Sequence, residues 1–325
     1  MRRRVSGVWA FQHPTYPQSF EDRERLCERR GMNVSYEMSR FARKLDRFLD
    51  TVLPKEDLFP EEFHRAIRYS LFVGGKRLRP YLLETVYRLF REDAERVLPF
   101  AAALEMVHTY SLIHDDLPCM DNDSLRRGKP TNHVVFGEAK AMLAGDSLLT
   151  YAFELMASRS DFDPAVTLQA ISLLAGAAGF RGMAGGQFVD IDSEGKEMTQ
   201  PLLEYIHTRK TGEMIRAACL MGALLASVPE KEKEAVNEYG KWLGLAFQIR
   251  DDILDCTGTS RQLGKSPGKD RKAHKATYPA LFGMETSLHL AEEATKKALD
   301  AVAPLGEKRR ALLEEIAEFL CRRES

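Results

Sequence analysis

Apolar residues recur three and four positions apart along most of the chain. Phe41, Leu45, Phe48, Leu49 and Val52 form one such stripe, and the same period returns as far as Leu313, Ile316, Phe319 and Leu320. Strict alternation bounded by glycine-rich turns, the mark of a half-buried strand, is hard to find. Turn signals stand at Pro54, Gly74-Gly75, Gly128, Gly195, Pro229, Gly258 to Gly268, and Pro304-Leu305-Gly306. They divide the periodic chain into segments 36–52, 60–73, 78–91, 95–118, 137–158, 164–184, 200–227, 230–256, 276–302 and 306–322. The pattern predicts an all-α bundle of about ten helices. No repeat or composition shift splits residues 32–325, so they read as one domain.

The first residues differ from the rest. Residues 1–31 carry seven Arg against four acidic residues and lack a helical apolar period. Arg2-Arg3-Arg4 resembles the start of a signal, but Pro14 and Pro17 end the weak apolar stretch that follows without a cleavage-type site. The segment reads as an extension, or as the product of an upstream start with Met32 the true first residue; a targeting signal is the weaker reading.

Charge and cysteine usage narrow the function classes. Lys and Arg number 47 against 48 Asp and Glu, so no global field draws the chain to nucleic acid or to an acidic membrane. Cys27, Cys119, Cys219, Cys256 and Cys321 are odd in number and lack CxxC spacing, which points to the reducing cytoplasm and away from a disulfide framework or a zinc site. The longest apolar or small stretch, Ala170 to Phe180, is too short to span a bilayer, so stable membrane insertion is not expected.

Two aspartate clusters carry the candidate chemistry. In Asp251-Asp252-Ile253-Leu254-Asp255 the outer carboxylates are one helical turn apart and can share a divalent ion. In Asp115-Asp116-Leu117-Pro118-Cys119-Met120-Asp121 the outer pair would diverge on a straight helix, and Pro118 is expected to break the register and return Asp121 to the side of Asp115. One such cluster alone is an ordinary solvated helix end. Two acidic helix C-termini, each unfavourable against the helix dipole, suggest a compensating cation, and hard oxygen donors suit magnesium bridged to phosphate.

Basic residues lie where a polyanion would need them. Gly74-Gly75-Lys76-Arg77-Leu78-Arg79-Pro80 combines a permissive backbone with cations, Lys76 and Arg79 being one turn apart. Arg126-Arg127, Lys210-Thr211-Gly212, Lys265 and Lys275 follow. A competing metal reading rests on Glu105-Met106-Val107-His108 and Glu204-Tyr205-Ile206-His207, two Glu-x-x-His pairs of the kind used by di-iron bundles. It leaves both aspartate clusters without a purpose, and chance in a helix-rich chain accounts for it better.

The run Gly74 to Pro80 is followed in order by further stretches. These are His108-Thr109-Tyr110-Ser111-Leu112-Ile113-His114-Asp115-Asp116-Leu117-Pro118, Leu125-Arg126-Arg127-Gly128, Gly185-Gly186-Gln187, Lys210-Thr211-Gly212, Phe247 to Asp255, and Lys275-Ala276-Thr277-Tyr278-Pro279-Ala280-Leu281. Together they resemble the trans-isoprenyl diphosphate synthases, most closely the eubacterial farnesyl diphosphate synthases. The resemblance runs from about Met32 to the C-terminus. It departs only at Ser124, where the family often continues its acidic run.

This resemblance implies helices around a central cavity, a homodimer, and three magnesium ions between the aspartate clusters and an allylic diphosphate. It assigns magnesium to Asp115, Asp116, Asp121, Asp251 and Asp255, with Asp116 and Asp252 supporting. The allylic diphosphate falls to Arg126, Lys210, Thr211, Gln248, Lys265 and Lys275. Metal-free isopentenyl diphosphate falls to Lys76, Arg79, His108 and Arg127. Asp115, Asp121, Asp251, Lys210 and Arg126 are expected to carry the chemistry itself. Tyr110 and Ser111 are the implied chain-length positions. Tyr110 with the Pro118-Cys119 insertion resembles synthases that stop at fifteen carbons, so farnesyl diphosphate is the expected product and geranylgeranyl diphosphate the alternative. A non-catalytic partner would be expected to lose one aspartate cluster. A terpene cyclase would replace the second with an Asn/Ser/Glu motif.

Overall fold

The computed structural model describes residues 34–257 and 277–322. The expectations for residues 1–31, Cys27, Lys265 and Lys275 lie outside the described residues. The chain runs through α1 (Val34–Val52), α2 (Glu61–Phe72), α3 (Leu78–Arg88), α4 (Leu98–Asp115) and a two-stranded ladder, β1 (Leu125–Arg126) with β2 (Lys129–Pro130). It continues through α5 (Asn132–Phe136), α6 (Glu138–Ser158), α7 (Pro164–Ala178), α8 (Met183–Asp192) and α9 (Gln200–His207). Then come α10 (Glu213–Leu225), α11 (Glu230–Thr257), α12 (Tyr278–Phe282), α13 (Met284–Ala301) and α14 (Glu307–Arg322).

Helix α4 is the centre because its first two turns, Leu98 to Leu104, are apolar on every side and buried, and Met106, Val107 and Ile113 farther along are buried too. Helices α1, α2, α3 and α6 pack against it. Ala101, Ala102 and Ala103 on α4 and Ala141, Ala144 and Gly145 on α6 keep the two helices close. Helix α10 packs against α3, α7 and α11, and α11 carries α13 on its outer side. Helix α1 is amphipathic in the ordinary way: Met38, Phe41, Leu45 and Leu49 face inward.

The all-α expectation holds, with more breaks than periodicity indicates. Segment 95–118 is a 3₁₀ turn, Ala94–Val97, followed by α4, whose second residue is Pro99 and which ends at Asp115 ahead of Pro118. Segment 164–184 ends at Ala178, where Gly179 and Gly182 interrupt it, and α8 then runs on through residues expected to be loop. Segment 276–302 is two helices divided at Gly283, whose φ of 79° few other residues adopt. The ladder was not foreseen at all. Arg127 and Gly128 both have positive φ, 53° and 73°, as a two-residue hairpin turn requires.

Candidate active site

The first aspartate cluster folds back on itself. After α4 ends, the Asp121 N–H donates to the Asp115 carbonyl at 2.9 Å and the Asp123 N–H to the Asp116 carbonyl at 3.2 Å. Asp121 thus returns beside Asp115, as Pro118 led one to expect. Burial pushes the Asp115 carboxyl up to about 6, with the neighbouring Asp121 and Asp116 charges adding to it and Lys210 and Arg126 opposing it. Asp116 points elsewhere. Both its oxygens accept from Arg126, at 2.9, 2.9 and 2.6 Å. Asp116 was expected among the ligands and Arg126 on the diphosphate; here they are engaged with each other, so Asp116 orients Arg126 beside the Asp115 and Asp121 pair. The ladder that carries Arg126 is tied to α2 by the Tyr69 hydroxyl, which donates to the Pro130 carbonyl at 2.8 Å.

A cavity of about 520 Å³ lies beside this loop. Its walls include Lys76, Arg79, His108, Arg127, Asp251 and Asp255. The four residues expected to hold isopentenyl diphosphate therefore share one space, and the second aspartate cluster borders it. Lys76 and Arg79 straddle the start of α3 and do not share a helical turn, because the preceding Arg77 is left-handed, φ 49°. Arg77 is turned away from the cavity. It donates to Glu105 at 2.5 Å, to Asp46 at 2.9 and 3.1 Å, and to the Leu71 carbonyl. Its burial works against the charge, but the two carboxylates outweigh it and hold its pKa above the usual value.

For Arg79 and Arg127 the balance falls the other way. Burial, with the Arg127 charge, lowers the Arg79 pKa despite Glu105 and Asp251, and the buried Arg79 Nε has no hydrogen-bond partner. Burial also lowers Arg127, which donates to the Gly74 carbonyl. Burial and four surrounding arginines hold His108 well below its ordinary range, so it is a neutral donor or acceptor. An uncompensated guanidinium of this kind is what a dianionic ligand would relieve.

The remaining groups meet at a distortion the sequence pattern does not show. Segment 200–227 is interrupted by a π-helical turn, Thr208–Gly212, between α9 and α10. Such turns frequently mark functional sites. Two glycines allow neighbours to reach it: a Cβ on Gly186 of α8 would collide with the Lys210 backbone, and one on Gly244 of α11 would stand 2.8 Å from Gly212 Cα. The turn presents Lys210 and Thr211, and Lys210 Nζ donates to Asp190 Oδ2 at 2.7 Å. Gln248, expected on the diphosphate, donates to Asp252 Oδ1 at 3.0 Å. Asp252 is buried and also accepts from the Tyr278 N–H at 3.0 Å.

Asp190, His207, Tyr278 and the Arg77 clamp were not foreseen. The available signals were slight: Asp190 lies three residues after Gly185-Gly186-Gln187, and His207 three before Lys210. The two Glu-x-x-His pairs go separate ways, Glu105 to Arg77 and Glu204 to Gln200. Among the described residues, no three His, Cys, Asp or Glu side chains converge as a metal cage. The di-iron reading therefore has no site there.

On α4, the Ser111 hydroxyl donates to the His108 carbonyl at 2.9 Å. The half-buried Tyr110 ring meets His114 edge-on at 5.7 Å, and His114 Nε2 lies 3.0 Å from the Met142 carbonyl of α6. Tyr110 thus occupies the α6 flank of α4, away from the 520 Å³ cavity on the flank of Glu105 and His108.

The sequence profile of the family described as Polyprenyl synthetase matches residues 60–319. The chain belongs to this family. Among its polyprenyl synthetase relatives, the farnesyl diphosphate synthase of Geobacillus stearothermophilus is 52% identical over 227 residues, 69% of this chain and 76% of the relative. The geranylgeranyl diphosphate synthase of Cyanophora paradoxa is 47% identical over 266 residues, covering 81% and 88%. The crystal structure of the Helicobacter pylori geranyltransferase, complexed with magnesium and isoprenyl diphosphate, superposes with a TM-score of 0.77 at 30% identity, covering 95% of this polyprenyl synthetase and 98% of that chain.

Proposed function

We propose that the protein is a short-chain trans-prenyltransferase that condenses isopentenyl diphosphate with dimethylallyl and then geranyl diphosphate to give farnesyl diphosphate. One observation carries this reading: a cavity holding Lys76, an orphaned Arg79 Nε and Arg127 is bordered by the second aspartate pair, Asp251 and Asp255. The 52% identity to a farnesyl diphosphate synthase supports the product.

The residues suit magnesium. Asp115 and Asp121 form a half-buried carboxylate pair with Asp115 raised to about 6, and a dication would relieve that repulsion. Asp251 and Asp255 offer the second pair one turn apart on α11. Carboxylates in pairs leave positions for waters and substrate phosphate to complete the shell, as magnesium prefers. Bound magnesium, three ions on the family reading, supplies neutralisation of the charge that builds on the departing diphosphate.

The chain's own residues do the rest. Asp190 holds Lys210, and Asp116 holds Arg126, so both cations are oriented toward the allylic diphosphate before it arrives. The allylic C1–O bond breaks with its electron pair going to the diphosphate. The double bond of isopentenyl diphosphate then forms the new bond to C1. The C2 proton of that unit passes to a diphosphate oxygen, which restores the double bond without a protein nucleophile. Lys76, Arg79, His108 and Arg127 hold the isopentenyl diphosphate with its double bond toward the aspartate clusters.

The cytoplasm is the proposed location; among the described residues no helix is long and apolar enough to cross a membrane. A homodimer is supported by Met142, Leu143, Leu168, Phe180 and Phe188, which are exposed on or beside α6, α7 and α8.

The test is chromatography of products made from isopentenyl and dimethylallyl diphosphates with magnesium. Fifteen-carbon product is expected. Twenty-carbon product would favour the geranylgeranyl reading, which the Cyanophora relative supports. Diphosphate release without isopentenyl diphosphate would indicate a cyclase, and no release would overturn catalysis altogether.

The separation of the two substrate sites is tested by Lys76→Ala and Arg79→Ala. Loss of a charge-assisted contact is expected to raise the KM for isopentenyl diphosphate about tenfold or more while the allylic KM stays within about twofold. The reverse order would exchange the two sites.

A further inference from the structure

We propose that His207 is a positioning residue that locks Asp252 and Tyr278, and through them sets the second aspartate cluster in register with Lys210. The proposal rests on the prenyltransferase reading and deepens it.

His207 is the last residue of α9, immediately before the π-helical turn that presents Lys210. Its side chain is buried, and three elements meet around it. Its ring stacks on Tyr278 at 5.2 Å and 17°, at the start of α12. Its Nε2 lies 3.4 Å from Asp252 Oδ2, on α11. The same Asp252 takes Gln248 Nε2 and the Tyr278 N–H, so donors from α11 and α12 already grip it and His207 closes the side facing α9. Asp252 stands next to Asp251 and three residues before Asp255, so its placement fixes the helix turn that bears both.

The ring is neutral in this setting. Burial brings its pKa down to about 4, with Lys210 also lowering it and Asp190 opposing. A neutral imidazole has one N–H. Because Nδ1 is buried without a partner, the proton belongs on Nε2, facing Asp252. A buried acceptor left unsatisfied is a cost that packing alone does not explain, since an aromatic ring of the same shape would stack on Tyr278 without it. The imidazole is therefore there for its Nε2–H.

The test compares wild type, His207→Phe and His207→Gln. Phe keeps the stacked ring and removes the donor, whereas Gln returns an amide N–H near the Nε2 position. Calorimetry measures two dissociation constants: that of an allylic thiolodiphosphate with magnesium, whose C–S bond does not ionise, and that of isopentenyl diphosphate without metal. His207→Phe is expected to weaken the first about tenfold or more and leave the second within about twofold. His207→Gln is expected to recover most of the loss. If neither constant changes, or if both weaken alike alongside a lower Tm, His207 is only packing and the inference is overturned. Should His207→Phe show no cooperative melt, His207→Asn, whose amide falls short at the Nδ1 position, replaces it; equal behaviour of the Asn and Gln variants would likewise overturn the inference. If wild type binds neither ligand, the prenyltransferase reading falls and the inference with it.

Discussion

Replacing Asp115 or Asp251 by alanine is expected to lower turnover at least about a thousandfold with the helical circular dichroism unchanged. On the proposed assignment both carboxylates act on charge that exists only as the allylic C–O bond breaks, so kcat should fall with kcat/KM. Stability is expected to move the other way for Asp115. Its pKa is raised from 3.8 to about 6 by burial and by Asp121, so the folded state binds that proton more tightly than the unfolded chain does. Folding stability from this group is therefore fully present below the unfolded value. It is lost as pH rises through about 6, and the ionised form is a liability above that. At pH 7.5 without metal, Asp115→Ala should melt no lower than wild type. A variant that keeps near-normal turnover, or loses activity only in step with a lower Tm, would remove Asp115 from the chemistry.

The residues that were legible in advance are those whose role follows from spacing. Asp251 and Asp255 are one turn apart on any helix, and Pro118 must end α4, so the return of Asp121 to Asp115 could be reasoned from the chain. The buried face of α1 follows its period directly. What stayed hidden depends on partners distant in sequence. The family resemblance places Gln248 on the allylic diphosphate, but nothing in the spacing shows that its amide also donates to Asp252. The same resemblance places Arg126 there, and its pairing with Asp116, ten residues earlier at the end of α4, arises only once the loop between them folds back. Asp190 and Lys210 meet only because Gly186 lets α8 approach the π-helical turn, and neither that turn nor the close approach leaves a periodic trace. Helix breaks at Gly179 and Gly283 were missed for a related reason: apolar residues continue on both sides of each, so a period count runs through them.

Tyr110→Ala is expected to move the main product from fifteen carbons to twenty or more. Tyr110 lies five residues before Asp115, roughly 7.5 Å along α4 at 1.5 Å per residue. A chain anchored by its diphosphate at Asp115 and Asp121 grows toward the start of α4, because the loop after Asp115 closes the other direction. The flank of Glu105 and His108 belongs to the cavity lined by Lys76, Arg79 and Arg127, the expected isopentenyl diphosphate site. The Tyr110 flank faces α6, and there the ring stands edge-on against His114, whose own ring abuts Gly145. On the proposed reading, two rings braced in this way would form a rigid stop across the path of the tail. Truncation to alanine removes one of them and leaves His114 in place. The ring is half-buried, so the loss of stability should fall below the ~3–5 kcal/mol of a fully buried aromatic, and the variant should remain folded for assay. Chromatography of the dephosphorylated products reads the outcome. An unchanged distribution at normal turnover would show that Tyr110 is not the stop, and would shift chain-length control to the side chains of α6 that face it.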